Sequence, residues 1–207
     1  MLFRSKAVGQ FAITGEASTA KQNQTVPAVT QKDIKIDLDS KDIGLKQKMK
    51  VKIDLPSTVK PEKIVWKSSN KKIITVKPGK NPLTAVLQSK KGSNKKVKIT
   101  VTIYLPGKKK ISKVFYARSR KGKVKKVKIK GKATIKKKVG KSIKLKATVR
   151  ATKGANKKLK WTSNKPSCAS VNKKTGKVVC KKKGTVTITV RSTDGTNKKS
   201  SVKIKIR

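Results

Sequence analysis

The chain has 207 residues, with 59 Lys plus Arg against 8 Asp plus Glu, two Cys and no His, for a formal net charge of +51. Without His, imidazole catalysis and His-ligated metals are excluded. The acids are Glu16, Asp33, Asp37, Asp39, Asp42, Asp54, Glu62 and Asp194, so residues 63 to 193 hold no carboxylate. Acid-pair hydrolysis and oxygen-ligated metal sites lack their ligands there, and the chain reads as a non-enzyme without metal or cofactor.

Disorder is the other reading that so much charge invites. Leu, Ile, Val and Phe make up 50 of 207 residues, above the level of about one-fifth below which a highly charged chain stays unfolded. Most lysines alternate with β-branched residues, as in Val127-Lys128-Ile129-Lys130, Ile143-Lys144-Leu145-Lys146 and Val202-Lys203-Ile204-Lys205-Ile206. A period of two puts one set of side chains on a buried face and the other in water. The expectation is an all-β fold with its charge on the outer faces of the strands.

From the N-terminus, residues 1–32 form a leader and spacer. Ala7 to Ala20 (AVGQFAITGEASTA) resembles the end of a secretory signal as much as an ordinary leader. No run approaches the ~18 apolar residues of a membrane helix. Residues 33–105 read as a first, degenerate module. Within it, Leu55-Pro56-Ser57-Thr58-Val59 resembles a wall-sorting signal but lacks its Gly and an apolar tail. Asp33, Asp37, Asp39 and Asp42 interleave with Ile34, Ile36 and Leu38, which suits the wet face of a strand better than a calcium site.

An internal repeat organises the rest. Leu45, Met49, Val51, Ile53 and Leu55 fall on Val139, Ile143, Leu145, Ala147 and Val149, and Trp66-Lys-Ser-Ser-Asn70 falls near Trp161-Thr-Ser-Asn164. Further on, Leu83, Ala85, Leu87 and Ser89 match Val186, Ile188, Val190 and Ser192, with the first copy shorter by about eight residues. Val97 to Tyr104 and Ser201 to Arg207 are then the closing strands. Residues 106–122 read as a Lys-rich linker whose Phe115-Tyr116 pair packs at the junction, and residues 123–207 as the second module. Six or seven short strands per copy, with Trp66 and Trp161 as buried anchors, give two tandem β-sandwiches.

In the second module, VGKSIKLKATV, KLKWTSNKPSCASVNKKTGKVVCKKKGTVTITVRSTDG and VKIKI together resemble the bacterial immunoglobulin-like domain of group 2. Residues 33–105 resemble it more faintly, keeping WKSSN but losing the Gly-Lys-Val and Gly-Thr steps. The resemblance implies two immunoglobulin-like β-sandwich domains on the outside of a bacterium or phage, similar to the stalk and tip modules of intimin and invasin adhesins. It implies no catalytic residues.

Cys168 and Cys180 flank the turn Asn172 to Gly176. If Val171 pairs with Lys177, the two cysteines face each other across antiparallel strands, within disulfide reach. The alternative is a pair of small buried apolar side chains.

Charge is weighted to the second half, +15 over residues 1–104 and +36 over residues 105–207. With 53 Lys against six Arg, it suits diffuse contact rather than directional base readout. Lys125, Lys128, Lys130, Lys144, Lys146, Lys203 and Lys205 are the candidate contacts for anionic wall polymers or glycans outside the cell. Sequence-specific nucleic-acid binding is not expected; non-specific binding is the alternative. Attached domains upstream would fit a surface protein.

Overall fold

A computed structural model describes residues 29–207. The signal-like run and most of the spacer lie outside the described residues. A single 3-10 turn at Gln31–Asp33 is capped by Thr30, whose amide and hydroxyl both donate to the Asp33 carboxylate.

The first module follows as eight strands: β1 (Lys35–Asp37), β2 (Asp42–Ile43), β3 (Lys48–Asp54), β4 (Lys63–Ser68), β5 (Ile74–Pro78), β6 (Thr84–Ser89), β7 (Lys96–Tyr104) and β8 (Lys110–Ser119). One sheet has the order β1-β3-β6-β5 and the other β2-β8-β7-β4. All pairings are antiparallel except β2 with β8. This is the immunoglobulin sandwich, with one short strand crossing to the second sheet. Strict alternation along β3 and β7 buries Met49, Val51 and Ile53 against Val97, Ile99, Val101 and Ile103, and leaves the intervening lysines in water.

The second module repeats the plan with β9 (Val124–Ile129), β10 (Thr134–Lys137), β11 (Ser142–Lys144), β12 (Ala147–Ala151), β13 (Leu159–Ser163), β14 (Ala169–Val171), β15 (Lys177–Cys180), β16 (Gly184–Ser192) and β17 (Lys199–Ile206). Its second sheet runs β10-β17-β16-β13, with β10 parallel to β17. Its first sheet is divided, because one strand breaks at Leu145. There the Leu145 amide donates to the Gly176 carbonyl (3.0 Å), and β12 pairs with β9 while β11 pairs with β15. Gly176 is in the left-handed region (φ 73°) and packs so closely on the Trp161 ring that a Cβ would lie 2.8 Å from it. Both Trp66 and Trp161 are buried in their cores.

Three expectations are corrected. Residues 106–122 are not a linker, because Lys110–Ser119 is a ten-residue strand paired along its length with β7. Phe115 is buried in the first core and Tyr116 is exposed on the outer sheet face, so the pair does not pack at the junction. The repeat also shifts by one strand in its second half. Trp66 pairs with Val101, and Trp161 with Val190, so β7 corresponds to β16 and β8 to β17. The first copy is therefore the longer one. The misreading has a simple cause, since β6 and β7 share the same in-out alternation and sliding by a whole strand preserves it.

Candidate functional surfaces and the joint between modules

Lys125, Lys128 and Lys130 stand on β9 and its end, and Lys144 and Lys146 at the strand break. All five are exposed on the side of the first sheet. Lys203 and Lys205 are exposed on β17 in the opposite sheet. The sandwich therefore separates the seven candidates onto two faces. Sequence reasoning missed what accompanies them. Lys126 lies directly opposite Arg150, Lys144 opposite Lys177, Lys136 opposite Lys205, and Lys199 opposite Arg191. Like charges facing each other across a ladder destabilise it.

The cysteines do not face each other. Val171 pairs with Val178, so Cys180 stands opposite Ala169 and both thiols are free. The turn is one residue wider than expected, because the Asn172 side chain accepts from the Lys174 and Thr175 amides and its own amide donates to the Lys177 carbonyl. Burial pushes the Cys180 thiol above its ordinary value, with Lys137 opposing it weakly, which disfavours the reactive thiolate. Among the described residues no group of His, Cys, Asp and Glu could hold a metal ion.

The carboxylates serve a joint that the sequence did not point to. Asp39 of the first module accepts from Arg191 Nη1 (2.7 Å) and Lys160 Nζ (2.9 Å) of the second. The Arg191 guanidinium, and then Lys160, hold its carboxyl below the ordinary aspartate value, against a desolvation that acts the other way. Buried Asn156 donates to Ser40 Oγ (3.1 Å) and the Asp42 carbonyl (3.2 Å). Asp42 itself is held by Arg118 within the first module. The Gly44 amide donates to the Asp194 carbonyl (2.8 Å) and the Leu45 amide to the Gly122 carbonyl (3.1 Å).

Asp194 is fully buried, and its carboxylate accepts from the Val124 amide (2.7 Å) and from both Thr196 donors. It thereby fixes the first strand of the second module beside the loop that meets the first. Gly195 (φ 89°) lets that loop touch the Lys48 carbonyl, where no Cβ would fit. Asp194 was visible in the sequence as the lone acid after Glu62, which was the available signal.

At the far end of the second module, Lys136, Lys137, Lys138, Lys141, Ser142 and Arg207 line a shallow concavity. No helix among the described residues is long and apolar enough to cross a membrane.

No curated protein sequence matches the chain. Among solved structures, a C-terminal 282-residue fragment of intimin, crystallised with the intimin-binding domain of its translocated receptor, is similar at 18% identity and a TM-score of 0.30. The match covers 83% of this chain and 62% of the fragment. Domains 4 and 5 of the S-layer protein SbsC are similar at 16% identity, over 84% of this chain and 96% of theirs, with a TM-score of 0.33. The fibronectin(III)-like modules of Clostridium thermocellum CbhA are similar at 14% identity, over 84% and 94%, with a TM-score of 0.33. The family model described as bacterial Ig-like domain (group 2) matches residues 123–203. That match falls within the second module, the part of the chain built on the β10-β17-β16-β13 sheet and the buried Trp161.

Proposed function

We propose that the chain is a non-catalytic pair of immunoglobulin-like modules from a bacterial surface or secreted protein, serving as an adhesive or stalk segment that attaches to anionic polymers through lysine. Immunoglobulin-like modules of this kind are generally non-catalytic. One observation carries the attachment. In the second module Lys126 faces Arg150, Lys144 faces Lys177 and Lys136 faces Lys205, so that cations oppose cations on both sheets, and its single acidic side chain, Asp194, is buried. A bound polyanion would relieve that repulsion and release its own counterions, whereas in a free stalk it is only a cost.

The test is retention on polygalacturonate across a salt series. Affinity is expected to fall steeply and linearly in log–log form as salt rises, and replacing Lys126, Lys128, Lys144 and Lys146 with Gln should flatten that slope. Salt-independent retention would refute the electrostatic mechanism.

A further inference from the structure

The described chain leaves five large apolar or aromatic residues exposed: Tyr104, Val114, Tyr116, Val139 and Val179. Three of them lie on one face of one sheet. Tyr104 is on β7 and Val114 and Tyr116 are on β8, all at outward positions. These are the only two tyrosines in the sequence, and every other described aromatic, Trp66, Trp161 and Phe115, is buried. Between the rings these two strands carry only uncharged side chains on this face, Thr100, Thr102, Ser112 and Val114, with Lys67 of β4 opposite Thr100. Thr102 is hydrogen-bonded to Ser112 (3.0 Å), and Thr100 stands opposite Val114.

Lysines frame each ring. Tyr116 stands opposite Lys98, and Tyr104 stands between Lys63 on one neighbouring strand and Lys110 on the other. Opposite residues on a sheet have Cβ atoms about 4.5–5.5 Å apart, so each ring lies within reach of an ammonium group. Glu62 is the acid beside this end of the face, next to Lys63 in the chain. An exposed ring on a sheet face favours a ligand with flat apolar surface and a polar rim.

We propose that this outer face of the first module is a binding surface for an anionic polysaccharide. Sugar rings stack on Tyr104 and Tyr116, and their carboxylates meet Lys63, Lys98 and Lys110. The inference rests on the polymer-attachment reading above, and it adds a second contact surface, on the first module, and narrows the polymer to a polysaccharide. Six residues separate Tyr116 from the position opposite Tyr104, about 20 Å along a strand, so one extended chain spans both rings. Single-stranded nucleic acid is the less suitable occupant, because its successive bases need rings set side by side.

The experiment titrates the full chain with oligogalacturonate, with an uncharged oligogalactan and with oligothymidylate. It compares wild type, Tyr104→Ala/Tyr116→Ala, Tyr104→Phe/Tyr116→Phe and Lys63→Gln/Lys98→Gln/Lys110→Gln, after unfolding curves have shown each variant folded. The alanine pair should weaken oligogalacturonate binding about tenfold with the salt slope unchanged, and the phenylalanine pair should restore it. The glutamine triple should instead flatten the slope. Alanine variants that bind oligogalacturonate as wild type does overturn this inference and leave lysine attachment standing. Tyrosines that respond to oligothymidylate but not to the sugar overturn it in favour of nucleic acid. A wild-type chain that binds no polyanion overturns both readings.

Discussion

Asp39 shows how much one carboxylate can decide in a chain with eight acids. It receives two cations from the other module, at 2.7 and 2.9 Å, and keeps partial contact with water. Because its folded carboxyl is held below the ordinary value of 3.8, its contribution is complete above that pH and is lost as pH falls through the lowered value. The joint should therefore loosen in acid below about pH 3.8 before either sandwich unfolds. Asp39→Asn should reproduce the loosening at neutral pH, at a cost of about 1 kcal/mol of coupling, kept small by solvent screening. Inter-module NOEs and small-angle scattering across the pH series check both. Asp42 and Asp194 are legible as acids in the sequence, but their partners lie 76 and 70 residues away, so pairing required the fold.

At the scale of elements, β8 is the instructive case. Its inward positions are Ile111, Lys113, Phe115, Ala117 and Ser119, an uneven set that reads as a linker because the apolar signal is diluted. It nonetheless pairs with β7 along its length and places Phe115 and Ala117 in the core. Lys113 escapes burial by reaching the Gln31 carbonyl (2.7 Å). A chain of residues 29–105 should fail to fold cooperatively, having lost an inner strand and exposed the edge of β7, whereas residues 29–122 should fold. Urea titration and dispersed amide resonances distinguish the two. The strong alternation of β3, β7, β16 and β17 made those strands readable. Which strand was which in the repeat was not readable, because period two carries no strand identity.

For the whole molecule, the joint is not repeatable. Asp42 stands opposite Arg118 in the parallel step of the first module, and Lys136 stands opposite Lys205 in the second. Lys136 thus takes the place of Asp42, and Ala133, three residues earlier, takes that of Asp39. The surface that receives a module on the first sandwich is a concavity of lysines on the second. A second copy of residues 123–207 fused after Arg207 would bring Lys160 and Arg191 onto those lysines, and the two copies should tumble independently. Ala133→Asp with Lys136→Asp should restore coupling. NMR relaxation measures both outcomes, and independent tumbling of the natural pair would refute the account of the joint.

The sequence alone determined the class of the fold, because alternation of lysine with β-branched residues has one stable solution, sheets with a wet and a dry face. It determined that there are two modules, and that charge belongs to their surfaces. Only the tertiary structure decided what depends on register and long-range pairing. It set Cys180 opposite Ala169, made a strand of Lys110–Ser119, spread the candidate lysines over two faces and gathered both tyrosines on one. The physical reason is common to all four. A period of two says which way a side chain points, but hydrogen-bonded neighbours are chosen by turns and packing far away in the chain.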